Sequence, residues 1–493
     1  MEPKGFGPNR TLDGPRSRTA IHPIKKATRS KLVPPGPRPG RDPHATIPPM
    51  TSPRLPVAGT RSVRARRKSH LSGAANSAFV AVLCVILAAC GITGPTAAPS
   101  GTPGPAASPT TPPDPATVYA AIETQVRAIR GLEEKAPVQP KVLDEAALGA
   151  YVKEQFSKDN PEAVVRANER MLKVLGLLPA DASLEDLYIS LLSGVVAGLY
   201  NPKDKTLYVV SRSGGLGPTE KTTFAHEYTH ALQDQNFGLA GLELDAPGKG
   251  DQGMARLALV EGDATLLMTL WQIDNLSQAE IIQLLGESLD PAVTGPLEKM
   301  PAILRESLLF SYTSGLTFTQ RLHSSGGWAA VDAAFGKPPA STEQILHPEK
   351  YDSGEAPTIV DLPDDLAAHM GAGWSVGLED TLGEFQLKLW LANAAGGVAT
   401  EQGEATKAAA GWGGDRVAVL DGPGGATAVV ISSEWDSPSD AAEFATQAKL
   451  VVASLAGAGE VVAPAGGTSV RVILAPGDGV LTRLSVVLGL AGG

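Results

Sequence analysis

At 493 residues the chain has room for about two to three domains. A hydrophobic fraction of 43%, a charged fraction of 19%, 54 Gly and 40 Pro exclude a coiled coil, a collagen-like fibre and a fully disordered chain. Two Cys, both inside one apolar run, exclude a disulfide scaffold. The net charge of −10 hides a split: residues 1–89 carry 16 Lys and Arg against 3 Asp and Glu, and the other 404 carry 26 against 49. A body that acidic repels a phosphate backbone, so nucleic acid is not expected as a partner.

Residues 1–60 hold 13 Pro and scattered Arg with no hydrophobic period, which predicts a disordered basic extension in which Met50 is an alternative start. From Arg61 the chain reads RSVRARRKSH and then LSGAANSAFVAVLCVILAAC. A cationic stretch followed by an apolar run of about 13 residues has the layout of a secretory signal and is short for a membrane span. Its end, Leu87-Ala88-Ala89-Cys90, resembles the lipobox of bacterial lipoproteins. That resemblance makes 61–89 a signal peptide and Cys90 the lipidated first residue of the mature chain, the alternative being a transmembrane anchor that happens to end in Cys. Residues 90–116, with 8 Pro among Gly, Thr, Ala and Ser after Cys90, read as a flexible tether.

Thr117 to about Tyr200 is expected to be helical, since LDEAALGAYVKEQF, PEAVVRANERMLKVLGLL and SLEDLYISLLSGVVAGLY place apolar residues three and four apart. KTLYVV, residues 205–210, is β-branched and aromatic and reads as a strand. EKTTFAHEYTHALQDQ follows, with His226-Glu227-x-x-His230. On a helix His230 falls about 40° and Glu227 about 100° from His226, so all three share one arc, while Phe224, Tyr228, Ala231 and Leu232 form an apolar face. Two imidazoles one turn apart can bind one zinc ion, and the adjacent carboxylate can take a proton from water on it. The bland alternative is an amphipathic helix with two exposed His.

A catalytic zinc usually takes a third protein ligand. Gln233 and Asn236 stand where the metzincin pattern needs Gly and His, so that class is excluded. In ARLALVEGDATLLMTLWQ, Glu261 lies in an apolar helix where an unpartnered carboxylate is costly. The alternatives are a salt bridge to Arg256, a solvent-facing Glu261, or Asp263 as ligand from about 200° around the helix. This arrangement looks like a gluzincin, the zinc peptidase clan that includes thermolysin. More narrowly, HEYTHALQDQ with LVEGDAT and PPASTEQILHPEKY is similar to a group of poorly characterised bacterial surface lipoproteins with zincin-like domains, over roughly Val118 to Trp435. The resemblance implies His226, His230 and Glu261 as ligands of Zn2+ and Glu227 as general base. It also implies KTLYVV as the strand bordering the cleft. Where the clan has Asp four residues after the third ligand this chain has Thr265, so the carboxylate orienting a ligating His must come from elsewhere, with Asp263 and Asp234 as candidates.

Tyr312, His323 and His347 are candidates to stabilise an oxyanion, Tyr312 first because its helix is otherwise apolar and its hydroxyl needs a partner. After Gly371 the chain turns Gly- and Ala-rich. Helices are expected at LEDTLGEFQLKLWLAN, EQGEATKAAAG and DAAEFATQAKLVVASL, and strands at RVAVLD, TAVVISSEW, SVRVILA and VLTRLSVVLG. The expectation is an α+β protein: a mostly helical zincin-like domain with a small mixed sheet over 117–370, then a smaller α+β unit over 371–493. Its function would be extracytoplasmic, lipid-anchored hydrolysis of a peptide or protein substrate. The rival is a non-catalytic surface lipoprotein that uses the same fold for binding or adhesion.

Overall fold

The structure, a computed structural model, describes residues 114–195, 197–210, 216–394 and 402–490. The basic extension, the expected signal peptide, Cys90 and all but the last residues of the tether lie outside the described residues. Helix α1 (Pro115–Arg130) opens with Pro in its first turn, where the missing N–H costs nothing. Strand β1 (Pro140–Leu143), helices α2 (Glu145–Asp159), α3 (Glu162–Val174) and α4 (Leu184–Val195), and strands β2 (Gly198–Asn201) and β3 (Thr206–Val210) follow. These strands form a mixed sheet in the order β1-β3-β2, with β1 parallel and β2 antiparallel to β3. Neither β1 nor β2 is anticipated by the sequence. Four-residue strands are too short to show a period of two, and Gly198–Tyr200 continues the apolar spacing of α4.

Next come α5 (Pro218–Phe237), α6 (Gly250–Asn275), α7 (Gln278–Ser288), α8 (Pro291–Glu298) and α9 (Ala302–Gly336). The helix α9 is kinked at Gly326–Gly327, both of which leave helical φ/ψ. Three short helices, α10 (Thr342–Leu346), α11 (Pro348–Ser353) and α12 (Leu366–Met370), lead into the C-terminal part. That part holds β4 (Ser375–Asp380), α13 (Gly383–Asn393), α14 (Gln402–Ala409), β5 (Trp412–Asp421), β6 (Thr427–Trp435), α15 (Pro438–Ser454), β7 (Ala458–Val462), β8 (Ser469–Ala475) and α16 (Asp478–Val487). Its five strands are all antiparallel, in the order β4-β5-β6-β8-β7.

The molecule is therefore α+β, with a three-stranded and a five-stranded sheet. VLTRLSVVLG, expected as a strand, is helix α16. Its β-branched content suggested a strand, but Leu484 and Leu488 are buried against the sheet one turn apart, a helical spacing that outweighs propensity. Strands β4 and β7 are likewise additions, and β4 takes the LED that the sequence assigns to a helix.

One hydrophobic core runs through α3, α6 and α9 into β5, β6, β8, α13 and α15. Phe310 of α9 meets Phe385 of α13 at 4.2 Å between ring centroids, and core aromatics of this kind are worth about 3–5 kcal/mol against Ala. Carboxylates tie the two parts at helix ends: Asp380 of β4 accepts the Gly250 N–H that opens α6, at 2.7 Å. Asp415 of β5 accepts the Leu382 and Gly383 N–H groups at the start of α13. Acceptors in these positions satisfy otherwise unpaired helix N–H groups. Among the described residues no helix is long and apolar enough to cross a membrane.

Candidate metal centre

The helix α5 is buried on nearly every side from Thr222 to Asp234, so the two His are not exposed on an amphipathic helix. Aromatic contacts seat it: Phe224 stacks on Tyr119 of α1 at 4.3 Å. Beside it α6 crosses α9 with backbones in contact. A Cβ on Gly262 would meet the Gly315 carbonyl oxygen at 2.2 Å, and one on Gly315 would meet that of Ala258 at 2.2 Å. Only glycine permits this approach. It sets Glu261, the neighbour of Gly262, against α5, and brings Tyr312 of α9 to the same place.

His226, His230 and Glu261 converge there, none more than 2% exposed. His226 Nε2 lies 2.9 Å from His230 Nε2 and 3.3 Å from Glu261 Oε2, and His230 Nε2 lies 3.5 Å from Glu261 Oε2. A tetrahedral zinc ion with bonds near 2.0–2.1 Å holds its donors about 3.3 Å apart. Three donors in a triangle of that size, two imidazoles and one carboxylate, fit zinc, and His2Glu is a donor set of catalytic rather than structural zinc. Glu261 makes no pair with Arg256, which donates to the Leu242 carbonyl and pairs with Glu243.

Burial pushes His226 down to about 4, with Glu261 opposing. Burial also presses on His230, but Glu261 and Glu227 outweigh it and hold that ring up at about 9. Glu261 is held down at about 2 against its burial, chiefly by the His230 charge. Glu261 and His230 thus hold one another charged, each the other's chief favourable partner. Glu227 is fully buried, and burial raises it to about 8. Its Oε2 accepts the Tyr200 N–H of β2 at 2.7 Å, and its Oε1 has no partner among the described residues. A Cβ on Gly198 would lie 2.7 Å from Thr223 and 3.3 Å from Glu227, so β2 can pack this close to α5 only with glycine there. KTLYVV, expected at the cleft border, is the central strand β3, with partners on both edges. The strand beside Glu227 is β2.

The outer contacts differ from expectation. His230 Nδ1 lies 2.8 Å from Gln233 Oε1. Gln233 Nε2 donates to Asp263 Oδ2 at 2.9 Å and to the Val260 carbonyl at 3.0 Å. Asp263 is gripped by Arg130, the last residue of α1, at 2.8 and 3.1 Å. Asp263 therefore reaches His230 only through Gln233. Asp234 does not reach it, since it accepts from Tyr200 Oη and Lys205 Nζ. In the sequence Gln233 serves only to exclude the metzincin pattern and Arg130 gives no signal, since no local spacing links a residue to one 133 positions away.

Tyr312 is buried with its ring 6.3 Å from that of His226. His323 packs edge-on to Trp328, and His347 bonds to Glu384 at 3.0 Å, so these two have their contacts elsewhere. A second acidic group, Glu343, Glu355 and Asp436, surrounds the Lys350 ammonium at 2.5–2.8 Å, which already supplies its cation.

The class that fold and site define is an α+β protein with a buried two-histidine, one-glutamate cluster. Among known families, one described as a domain of unknown function (DUF8575) matches residues 375–482. That segment runs from β4 into α16 and contains none of the cluster. No curated protein and no solved structure matches the chain.

Proposed function

We propose that the chain is a zinc-dependent peptidase of gluzincin type. The observation that most supports this reading is a tetrahedrally spaced donor triangle beside a carboxylate with one oxygen tied and one free. His226, His230 and Glu261 would hold the ion. Bound there, zinc polarises a peptide carbonyl and brings the pKa of a water toward ~7. Glu227, fixed through Oε2 by the Tyr200 N–H, uses Oε1 to accept a proton from the attacking water and later delivers it to the leaving amine as the C–N bond breaks. The Tyr312 hydroxyl donates to the developing oxyanion. In the same reading Cys90 carries a lipid, and residues 90–116 hold the enzyme outside the cytoplasm, close to the membrane. A purely structural metal site has no use for the free oxygen of Glu227, which disfavours a binding or adhesion module.

The test is a peptide library offered to wild type and to Glu227→Gln, with and without chelator. Wild type is expected to cleave only when its metal is present, and Glu227→Gln to lose at least ~10²-fold in kcat while keeping its zinc. Full activity in that variant, or cleavage insensitive to chelator, contradicts the mechanism.

A further inference from the structure

We infer that Gln233, held by Asp263 and Arg130, is a positioning residue that fixes His230 with its proton on Nδ1 and its Nε2 lone pair at the metal position. The inference rests on the zinc reading above and concerns a residue the motif leaves without a role. A glutamine amide can face either way, and its neighbours decide. Here the nitrogen side meets two acceptors, the Val260 carbonyl and Asp263 Oδ2. A carbonyl can only accept, and both Asp263 oxygens face the guanidinium of Arg130, which can only donate. Gln233 Nε2 must therefore donate to both, which turns Oε1 toward His230 Nδ1 at 2.8 Å. An amide oxygen only accepts, so the proton sits on Nδ1, and Nε2 is left as the ligand atom.

Arg130 makes the arrangement affordable in a dry interior. Asp263 is fully buried, and a buried carboxylate needs a bonded cation. Arg130 itself is anchored by Asp332 at 2.7 Å and lies 4.5 Å from the Trp328 ring. The relay serves one ligand only. His226 Nδ1 is buried with no partner among the described residues, so orientation of the pair depends on His230, and through Arg130 the first helix after the tether is built into the cluster.

The experiment measures the Zn2+ affinity of the full chain by competition with a chromophoric chelator. Gln233→Met, similar in size but without an acceptor, is expected to bind zinc about 10- to 100-fold more weakly and to shift the visible spectrum of the Co2+ form. Gln235→Met is the control. Among the described residues its amide bonds Lys135 and Ala136, away from the cluster, and both readouts should stay at the wild-type values. A role confined to packing would lower the melting temperature of the metal-free protein and leave affinity and spectrum alone, and that result overturns the inference. Should Gln233→Met fail to fold, 15N spectra of histidine-labelled, zinc-loaded wild type decide: a proton on His230 Nδ1 is expected, and zinc on Nδ1 or a bare Nδ1 overturns it. Wild type that binds no zinc removes the metal reading itself. Wild type and Gln233→Met binding equally removes only this relay.

Discussion

At the scale of single residues the proposed centre is marked by buried atoms left unfilled. Glu227 is fully buried and keeps one oxygen without a partner among the described residues, an arrangement that costs stability unless the oxygen has work to do. Tyr312 places its ring beside His226, and the proposal gives its hydroxyl the complementary role. If that hydroxyl stabilises the oxyanion, Tyr312→Phe lowers kcat by about 10²–10³ while zinc content, read by elemental analysis, stays at the wild-type value. Unchanged kcat in the Phe variant removes Tyr312 from the mechanism and leaves it a packed aromatic. That His226, Glu227 and His230 share one face was legible because His-Glu-x-x-His is defined by a local spacing on one helix. The contacts of Gln233 were not, because they are made to Val260 and Asp263 of α6, and Asp263 is in turn held by Arg130 of α1.

At the scale of elements, the site depends on close helix and strand approaches that only glycine allows, at Gly262 and Gly315 between α6 and α9 and at Gly198 between β2 and α5. The same scale contains a pH-dependent tie. His347, leading into α11, bonds Glu384 of α13. That bond, with the further charges of Glu384, Glu343 and Glu349, raises the His347 pKa above its ordinary 6.5 against the opposing effect of burial. A raised folded-state pKa means the folded chain holds the proton more tightly than the unfolded chain. The pair's stabilisation is therefore complete below pH 6.5 and disappears as pH rises through the folded-state value. His347 is partly exposed, so the effect is about 1 kcal/mol or less. In thermal melts the advantage of wild type over His347→Gln should be larger at pH 6 than at pH 8.5. An advantage that is equal at both pH values would show that the pair contributes no proton-linked stability.

At the scale of the whole molecule, the C-terminal sheet is not an appendage, since it shares the core of the helical part and its Asp380 caps the helix that carries Glu261. The long helices α5, α6 and α9 and the strands β3, β5, β6 and β8 were legible from apolar spacing and β-branched runs. The short strands β1 and β2 were not, being set by pairing to β3 rather than by their own pattern. Helix α16 was misread because its composition favours a strand while its packing demands a period near 3.6. The proposed activity requires that His226, His230 and Glu261 hold one cation. The most direct measurement is zinc stoichiometry and affinity of wild type and of Glu261→Gln, by elemental analysis and chelator competition. One tightly held zinc per chain, lost or greatly weakened in Glu261→Gln, is the predicted result. A chain that takes up no zinc, or one whose zinc is indifferent to Glu261, contradicts it.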